Sequence, residues 1–430
     1  MKKQLITNER AHALPPYSIG RKLISLHLCR NILFKRFLRM HYGVIEIHDG
    51  DNTYLLGKNK KNVLRAVITV NDPFFYTSVV LAGSIGAGES YMRGEWTCDN
   101  LTDLVRIIIH NRDALISLDS GLARFTEPLY KLFHAGRKNT RAGSQKNISA
   151  HYDLGNDFYS LFLDETLAYS CAIFVTEQST LKEASLEKFD RICRKLRLDG
   201  DDHLLEIGTG WGGFAIHAAS NYGCKVTTTT ISRKQHDLAG QKIQEAGLYD
   251  RITLLFDDYR ELQGKFDKIV SIEMIEAVGH HYYEEFFRCC GSLLQPEGLM
   301  LLQAITITDQ AYEQARNSID FIKRYIFPGS CIPSLSAIIA ASSAASDMKM
   351  FHLEDIAPHY AQTLRTWRHN FFENIDAVRG QGFTDSFIRM WEFYLCYCEA
   401  GFAERYLGDI QLILTKPNCR HAPIMGSLFS

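Results

Sequence analysis

The sequence predicts an α/β chain. An open, mainly parallel sheet is covered by helices and closed by a helical cap, and a smaller α+β N-terminal domain precedes it. Three observations predict this. Residues 204–215, LLEIGTGWGGFA, read as a short apolar strand running into a Gly-rich turn and then a helix. From 185 to 310, strand and helix patterns alternate, which calls for parallel strands joined by helical crossovers. Just ahead, HYDLGNDFYSLFLDETLAYSCAIF at 151–174 concentrates Asp, Asn, Tyr and one Cys beside the place where a ligand pocket would form.

Composition narrows the class. At 430 residues, with 46% hydrophobic and 23% charged positions, the chain has room for two or three ordinary globular domains. A net charge of -1 argues against nucleic-acid binding through bulk charge. Local charge differs: the first forty residues carry nine Lys or Arg against the single acid Glu9, and Lys131–Ala150 hold five cations and no acid. The 11 cysteines show no paired zinc-ligand spacing and no secretory signal precedes them, so reduced thiols in a cytoplasmic protein are expected. No run approaches the ~18–20 apolar residues of a membrane span, so membrane contact is expected only from the surface.

In chain order, residues 1–20 read as loosely ordered, with Pro15-Pro16. Arg21–Met40 reads as an amphipathic helix with Leu23, Leu26, Leu33, Phe34, Phe37 and Leu38 mostly on one side. Residues 43–70 alternate as strands, with a turn at Asp49-Gly50-Asp51-Asn52. A helical pattern then runs from about Pro73 to Leu118, completing an N-terminal domain over 1–130. Residues 131–149 form a basic linker that includes GRKNTRAGSQK. The remainder, 150–420, is the sheet domain. Its strands are LLEIG (204–208), KVTTTT (225–230), RITLLF (251–256), KIVSIE (268–273) and GLMLLQAIT (298–306). Residues 311–410 read as mainly helical and aromatic-rich. No internal repeat is visible.

A Gly-rich strand-to-helix turn brings backbone and unpaired helix amides close to a ligand, but by itself fits several nucleotide-like sites. Here the spacing is E-x-G-x-G-x-G-G, starting at Glu206, in place of G-x-G-x-x-G. The second strand ends in Thr228-Thr229-Thr230-Ile231-Ser232, without the acid that a nicotinamide ribose calls for. The third ends in Asp257-Asp258, placed to accept from an adenine amino group.

Over residues 43–415 the chain resembles the cyclopropane-fatty-acyl-phospholipid synthases and mycolic acid cyclopropane synthases. These are S-adenosylmethionine-dependent methyltransferases with a Rossmann-like class I domain. The resemblance rests on HYDLGNDFY, YSCAIF, EIGTGWGGFA, TTISRKQ, FDDYREL, SIEMIEAVG, YIFPGSCIPS, PHYAQTLRTW and WEFYLCYCEAGF. GESYMRGEWTCDNL is similar to the additional domain of the longer, phospholipid-acting members. The resemblance implies transfer of a methylene group from S-adenosylmethionine to a cis double bond of a phospholipid acyl chain. It also implies a peripheral enzyme at the inner face of the membrane, and a homodimer. Donor contacts fall to Tyr169, Ser170, Glu206, Gly208, Gly210, Gly212, Thr230, Gln235, Asp257 and Asp258.

An alkene is a poor nucleophile, so the methyl must be held in line, and a base that does not trap the resulting cation must remove a proton. The resemblance assigns that role to bicarbonate in a cage of Cys171, Glu276, Gln303, Ile305 and Tyr360. Position 303 departs from the family's His. Glutamine donates and accepts but carries no charge, so Glu276, raised by burial, takes more of the base role. Cys398 matches a cysteine marked in the family's active site, and equally reads as core. His280-His281 and Cys289-Cys290 are adjacent pairs that cannot converge on a metal. Trp211 either stacks near the donor or packs the turn. Tyr325, Phe327, Trp367, Trp391 and Tyr394 either line an acyl slot or fill the core. The basic helix at 21–40 either lies on anionic headgroups or packs on its own domain. Two other functions stay open: a methyltransferase giving methyl-branched lipid or methylating an amine, and a binding protein without activity, for which Gln303 is the only hint.

Overall fold

The computed structural model describes residues 25–58, 63–115 and 154–425. The expected linker at 131–149 therefore lies outside the described residues. The chain divides into two compact units: 1–135 with 319–321 and 385–393, and 136–318 with 322–384 and 394–430.

In the first unit, β1 (Val44–Asp49) pairs antiparallel with β2 (Asn52–Gly57) and parallel with β3 (Arg65–Val70). β3 in turn pairs antiparallel with β4 (Trp96–Cys98). Asp49 pairs with Asn52 across a two-residue loop whose Gly50 has φ 59°, the conformation such hairpins require. The helix Leu26–Phe37 buries Cys29, Leu33 and Phe37, and its Phe34 packs on the Tyr54 ring at 4.8 Å. Leu28 and Leu38 instead face outward, 54% and 63% exposed, beside exposed Lys35 and Arg39. The helical run expected from Pro73 to Leu118 is interrupted. Helix Phe74–Met92 ends at a turn through Gly94 (φ 73°), and the Glu95 carbonyl accepts from Asn71 and Asp72 N–H, which starts β4. A new helix, Leu101–His110, then begins on an Asn100 cap.

Residues 319–321 and 385–393, expected in the sheet domain, belong to this first unit. Phe321 and Phe393 pack 4.6 Å apart, and the Tyr91 hydroxyl donates to the Glu392 carboxylate at 2.7 Å.

The second unit is a seven-stranded sheet of β5 (His203–Ile207), β6 (Lys225–Thr229), β7 (Ile252–Leu255), β8 (Phe266–Ile272), β9 (Leu294–Ile307), β10 (Lys349–Asp355) and β11 (Leu407–Thr415). They are ordered β10-β11-β9-β8-β5-β6-β7. From β9 to β7 every pair is parallel, whereas β11 is antiparallel to both β9 and β10. Helices fill both faces over two apolar clusters, one including Ile269, Met300 and Phe286, the other Leu204, Phe214 and Ile192. Strands β10 and β11 correct the mainly helical reading of 311–410. Along β11, Ile410, Leu412 and Leu414 enter the first cluster, a period of two. The alternate face mixes Ile413 with buried Asp409, Gln411 and Thr415, which hides the apolar pattern. The chain leaves β5 in one direction towards β6 and β7 and then returns to its other side at β8. Ligands of open α/β sheets bind at the carboxyl ends of strands beside such a reversal.

Candidate functional site

A cavity opens at that reversal, and every residue expected to contact the donor lines it except Gly212. Gly208 and Gly210 carry the chain out of β5, and Gly208 and Thr209 N–H donate to the Thr229 carbonyl at 3.1 and 3.0 Å, tying the turn to β6. Gly210, at φ 54°, faces the cavity; a Cβ there would meet nothing within 4 Å. Gly212 is the cap of helix Gly213–Tyr222 and lies against Ala239 instead. At Gly213 the Thr166 carbonyl sits 2.6 Å from where a Cβ would stand, so this glycine lets the 166–170 loop close over the turn. Trp211 is buried at the cavity wall and donates to Asn156 Oδ1 at 2.8 Å. Ser232 caps helix Arg233–Glu245, setting Gln235 to receive the Thr230 hydroxyl at 2.9 Å.

The cavity is rich in buried charge. Glu206 is 2% exposed and accepts from Thr228 Oγ1 at 2.6 Å; burial pushes its carboxyl up to about 8. Both Asp258 oxygens are engaged by the Arg260 guanidinium at 2.8 and 2.6 Å, which leaves Asp257 the less encumbered acceptor. Lys188 was missed in the sequence. It is fully buried, donates to Ser170 Oγ at 2.7 Å, and sits 4.4 Å from the Phe189 ring centre. Burial lowers its pKa, against the pull of Glu273 and other acids.

Deeper along β8 the structure departs from the expected cage. Its donors converge on Glu273, not Glu276. Glu273 Oε1 accepts from Cys171 N–H and Gln303 Nε2, both at 2.8 Å, and Oε2 accepts from the Tyr360 hydroxyl at 2.6 Å. Only Ile305 N–H goes to Glu276, at 2.5 Å. Glu273 lines the donor cavity, whereas Glu276, Cys171, Gln303 and Tyr360 do not. A bicarbonate among these donors would overlap a carboxylate already there, so the residues present do not fit that group. Asp409, on β11, completes the cluster. It is fully buried, 3.3 Å from Gln303 Nε2, and hydrogen-bonded to Glu273. Burial and the Glu273 charge push Asp409 well above the carboxylate range, so it is the member of the pair that holds a proton. Burial, and then the Glu273 charge, push Glu276 up to about 8. Burial also raises the Cys171 thiol well above its ordinary value, keeping it protonated.

Glu273 is at φ 48°, the left-handed region, where a side chain costs roughly 1–2 kcal/mol. Its N–H donates to the Gln303 carbonyl at 2.8 Å, holding the end of β8 in that strained turn. The sequence signal was present but ambiguous: SIEMIEAVG offers two glutamates three residues apart, and only the backbone turn decides which one enters the cavity.

Cys398 does not line the cavity; it lies half-buried on helix Asp385–Ala403. Of the aromatic candidates, Trp367 stacks on Tyr169 at 5.2 Å and the Tyr394 hydroxyl meets that of Tyr169 at 2.8 Å, forming the wall behind the donor cavity. Phe327 lies 6.4 Å from Tyr169. Trp391 belongs to the first unit, stacked on Phe387 at 5.8 Å, and Tyr325 packs on the Arg324 guanidinium at 5.2 Å. Among the described residues no group of three His, Cys, Asp or Glu is placed to hold a metal ion.

Comparison with known proteins identifies the family and the fold. A family model described as mycolic acid cyclopropane synthetase matches residues 139–412. The chain is 38% identical over 341 residues to a tuberculostearic acid methyltransferase, UfaA1, of Mycobacterium tuberculosis, covering 78% of this chain and 79% of that one. It is 34% identical over 349 residues to the cyclopropane-fatty-acyl-phospholipid synthase of Escherichia coli K12, covering 81% and 86%. Among solved structures, the mycolic acid cyclopropane synthase CmaA1 complexed with SAH and CTAB superposes with TM-score 0.59 at 30% identity, over 63% of this chain and 98% of that one.

Proposed function

Because the chain belongs to the mycolic acid cyclopropane synthetase family of S-adenosylmethionine-dependent methyltransferases, we propose that its acceptor is a cis double bond in an acyl chain of a membrane phospholipid and its product a cyclopropane ring. The observation that carries the reading is a buried carboxylate, Glu273, in the wall of the donor cavity, held by Cys171, Gln303 and Tyr360, with the Tyr169 ring in the same wall.

When bound, S-adenosylmethionine supplies an electrophilic methyl group on a sulfonium centre. Tyr169, Ser170, Glu206, Gly208, Gly210, Thr230, Gln235 and Asp257 line its cavity and would hold it. The Gly208 and Thr209 amides bonded to the Thr229 carbonyl, and the hydroxyl chain from Thr209 through Thr228 to Glu206, fix the turn that would receive it. Residues 166–170, packed on the Gly213 turn, form one wall of the cavity. Tyr169, held from behind by Trp367 and the Tyr394 hydroxyl, would offer an aromatic ring at the cavity wall to positive charge developing on the acyl chain. A carboxylate of the cluster accepts the proton whose departure lets the ring close.

Similarity to the E. coli phospholipid synthase over 81% of the chain supports this acceptor. One observation favours a second product from the same step: the tuberculostearic acid methyltransferase is the more identical of these two relatives, at 38% against 34%. When the proton leaves a carbon of the acyl chain instead of the new methyl group, its C–H electron pair re-forms a double bond, and the product is a branched chain that is still unsaturated and isomeric with the ring. Mass spectrometry of lipids from expressing cells separates the readings. A gain of one CH2 per unsaturated chain supports either lipid product, and ring-specific fragmentation tells ring from branch. Methylation confined to amines would overturn both.

Access to such a substrate calls for a membrane surface, in our reading the inner face of the cytoplasmic membrane. Among the described residues no helix is long and apolar enough to cross a membrane. Helix Leu26–Phe37 and the residues just after it expose Lys35, Arg39, Leu28 and Leu38 together, a combination suited to anionic headgroups and the acyl chains beneath them.

A further inference from the structure

The donors expected to build a cage for a small anion already surround one belonging to the chain. Cys171 N–H, the Gln303 amide and the Tyr360 hydroxyl lie at 2.8, 2.8 and 2.6 Å from the two oxygens of Glu273. The remaining donor, Ile305 N–H, is taken by Glu276. A second anion here would find those donors occupied and would lie directly against the buried Glu273 carboxylate.

We infer that this chain needs no bicarbonate and that Glu273 is the built-in base of its reaction, with Gln303 and Tyr360 as positioning residues. The base role rests on the alkene reading above; the occupancy of the cage does not. Position 303 then has a physical account. Gln303 donates to Glu273 through Nε2 and accepts from Gln411 Nε2 at 3.0 Å through its own oxygen, so the amide is satisfied at both ends and cannot flip without loss. A permanent carboxylate at 273 and a neutral donor at 303 suit each other. Burial raises the Glu273 carboxyl above its ordinary value, which suits a proton acceptor, while the Tyr360 and Cys171 hydrogen bonds, the Lys188 charge and the Gln303 amide pull it back towards the ionised form.

The chemistry balances without a further reactant. The bond from sulfur to the methyl carbon breaks as that carbon bonds to one alkene carbon, leaving the other electron-deficient. A C–H bond of the new methyl group then gives its electron pair to the second ring bond, and the proton passes to Glu273. Three hydrogen bonds spread the carboxylate's charge, which restrains it from attacking the cation itself.

The test is equilibrium dialysis of radiolabelled bicarbonate against the parent and Glu273→Gly, read beside circular dichroism and donor affinity. Glycine accepts the left-handed backbone at 273, leaves Cys171 N–H and the Tyr360 hydroxyl without their acceptor, and takes the shorter of the two acceptors of Gln303 Nε2. The parent should retain no bicarbonate and the variant about one equivalent. Retention by the parent, or none by a folded Glu273→Gly, overturns the inference. Should the glycine variant fail to fold, Glu273→Gln keeps the shape. Its methyl transfer to unsaturated phospholipid vesicles should fall at least ~100-fold, with donor affinity unchanged and no response to added bicarbonate; near-parent turnover overturns the base role. A parent that excludes bicarbonate and binds donor, yet modifies no unsaturated lipid, supports the filled cage and overturns the alkene reading together with the base role.

Discussion

Glu206 and Glu276 are carboxyls whose ordinary value is 4.5 and which burial moves to about 8. The native chain therefore holds two protons that the unfolded chain has released between those limits. This contribution to stability is complete below about pH 4.5 and is lost as pH rises towards 8, at ~1.4 kcal/mol per unit for each group. Glu206→Gln removes one of the two while keeping an oxygen for Thr228. Without donor, its melting temperature should gain on the parent steadily from about pH 5 to 8 and no further above. A constant difference across that range would mean the native carboxyl is ionised throughout. Donor binding has its own test at Gly210. Aspartate there adds a carboxylate and its bulk to open cavity beside Glu206, so titration calorimetry should find S-adenosylmethionine binding in the parent and none in Gly210→Asp. Binding that survives would place the donor elsewhere. The residues that hold the donor were legible because strand, turn and acid follow one another along the chain. Glu273, Lys188 and Asp409 were not. They come from β8, helix Leu181–Leu196 and β11, and only the fold brings them together.

At the scale of elements, the parallel strands were legible because each is a short apolar run bounded by turn residues. β11 was not, because Asp409 and Gln411 interrupt it for the sake of the site. Gln411 shows what that interruption does. It pairs with Gln303 across the β9–β11 register and also accepts from buried Lys195 Nζ at 2.6 Å. Gln411→Leu would leave the buried Gln303 oxygen without its donor, which costs about 1–3 kcal/mol, while Lys195 keeps its ion pair with Glu354. Chemical denaturation should show a loss in that range, and methyl transfer should fall as Gln303 loses its orientation. Unchanged stability would mean water replaces the amide. Helix Leu181–Leu196, which carries Lys188, begins on a capping box in which Thr180 accepts from Glu183 N–H and Glu183 reaches back to Thr180 N–H. Thr180→Ala should cost about 1 kcal/mol while leaving donor affinity intact, because the cap lies a full two turns from Lys188. A large loss of affinity would show that the helix frays as far as the cavity.

For the molecule as a whole, the open matter is how a chain of net charge -1 reaches a substrate inside a bilayer. The two readings of the basic N-terminal helix are compatible in the structure, because they use different faces. Cys29, Leu33 and Phe37 pack inward, while Lys35, Leu38 and Arg39 are exposed. Arg36 is partly buried, so it is left out of the surface contribution. Each basic residue near an anionic surface contributes about 1 kcal/mol, so Lys35→Glu with Arg39→Glu should remove roughly 2 kcal/mol of attraction, about thirtyfold in partitioning, before repulsion adds to it. Both side chains are solvated, so the fold should survive, and donor binding should be unchanged because the cavity belongs to the second unit. Sedimentation with anionic vesicles should show the weaker binding, and added salt should weaken the parent in the same direction. Leu28→Ser with Leu38→Ser isolates the apolar share: it should weaken binding at all salt concentrations alike, since insertion of apolar side chains is not screened. If the charge-reversed chain sediments like the parent at low salt, this helix is only a structural element and the membrane contact lies elsewhere on the molecule.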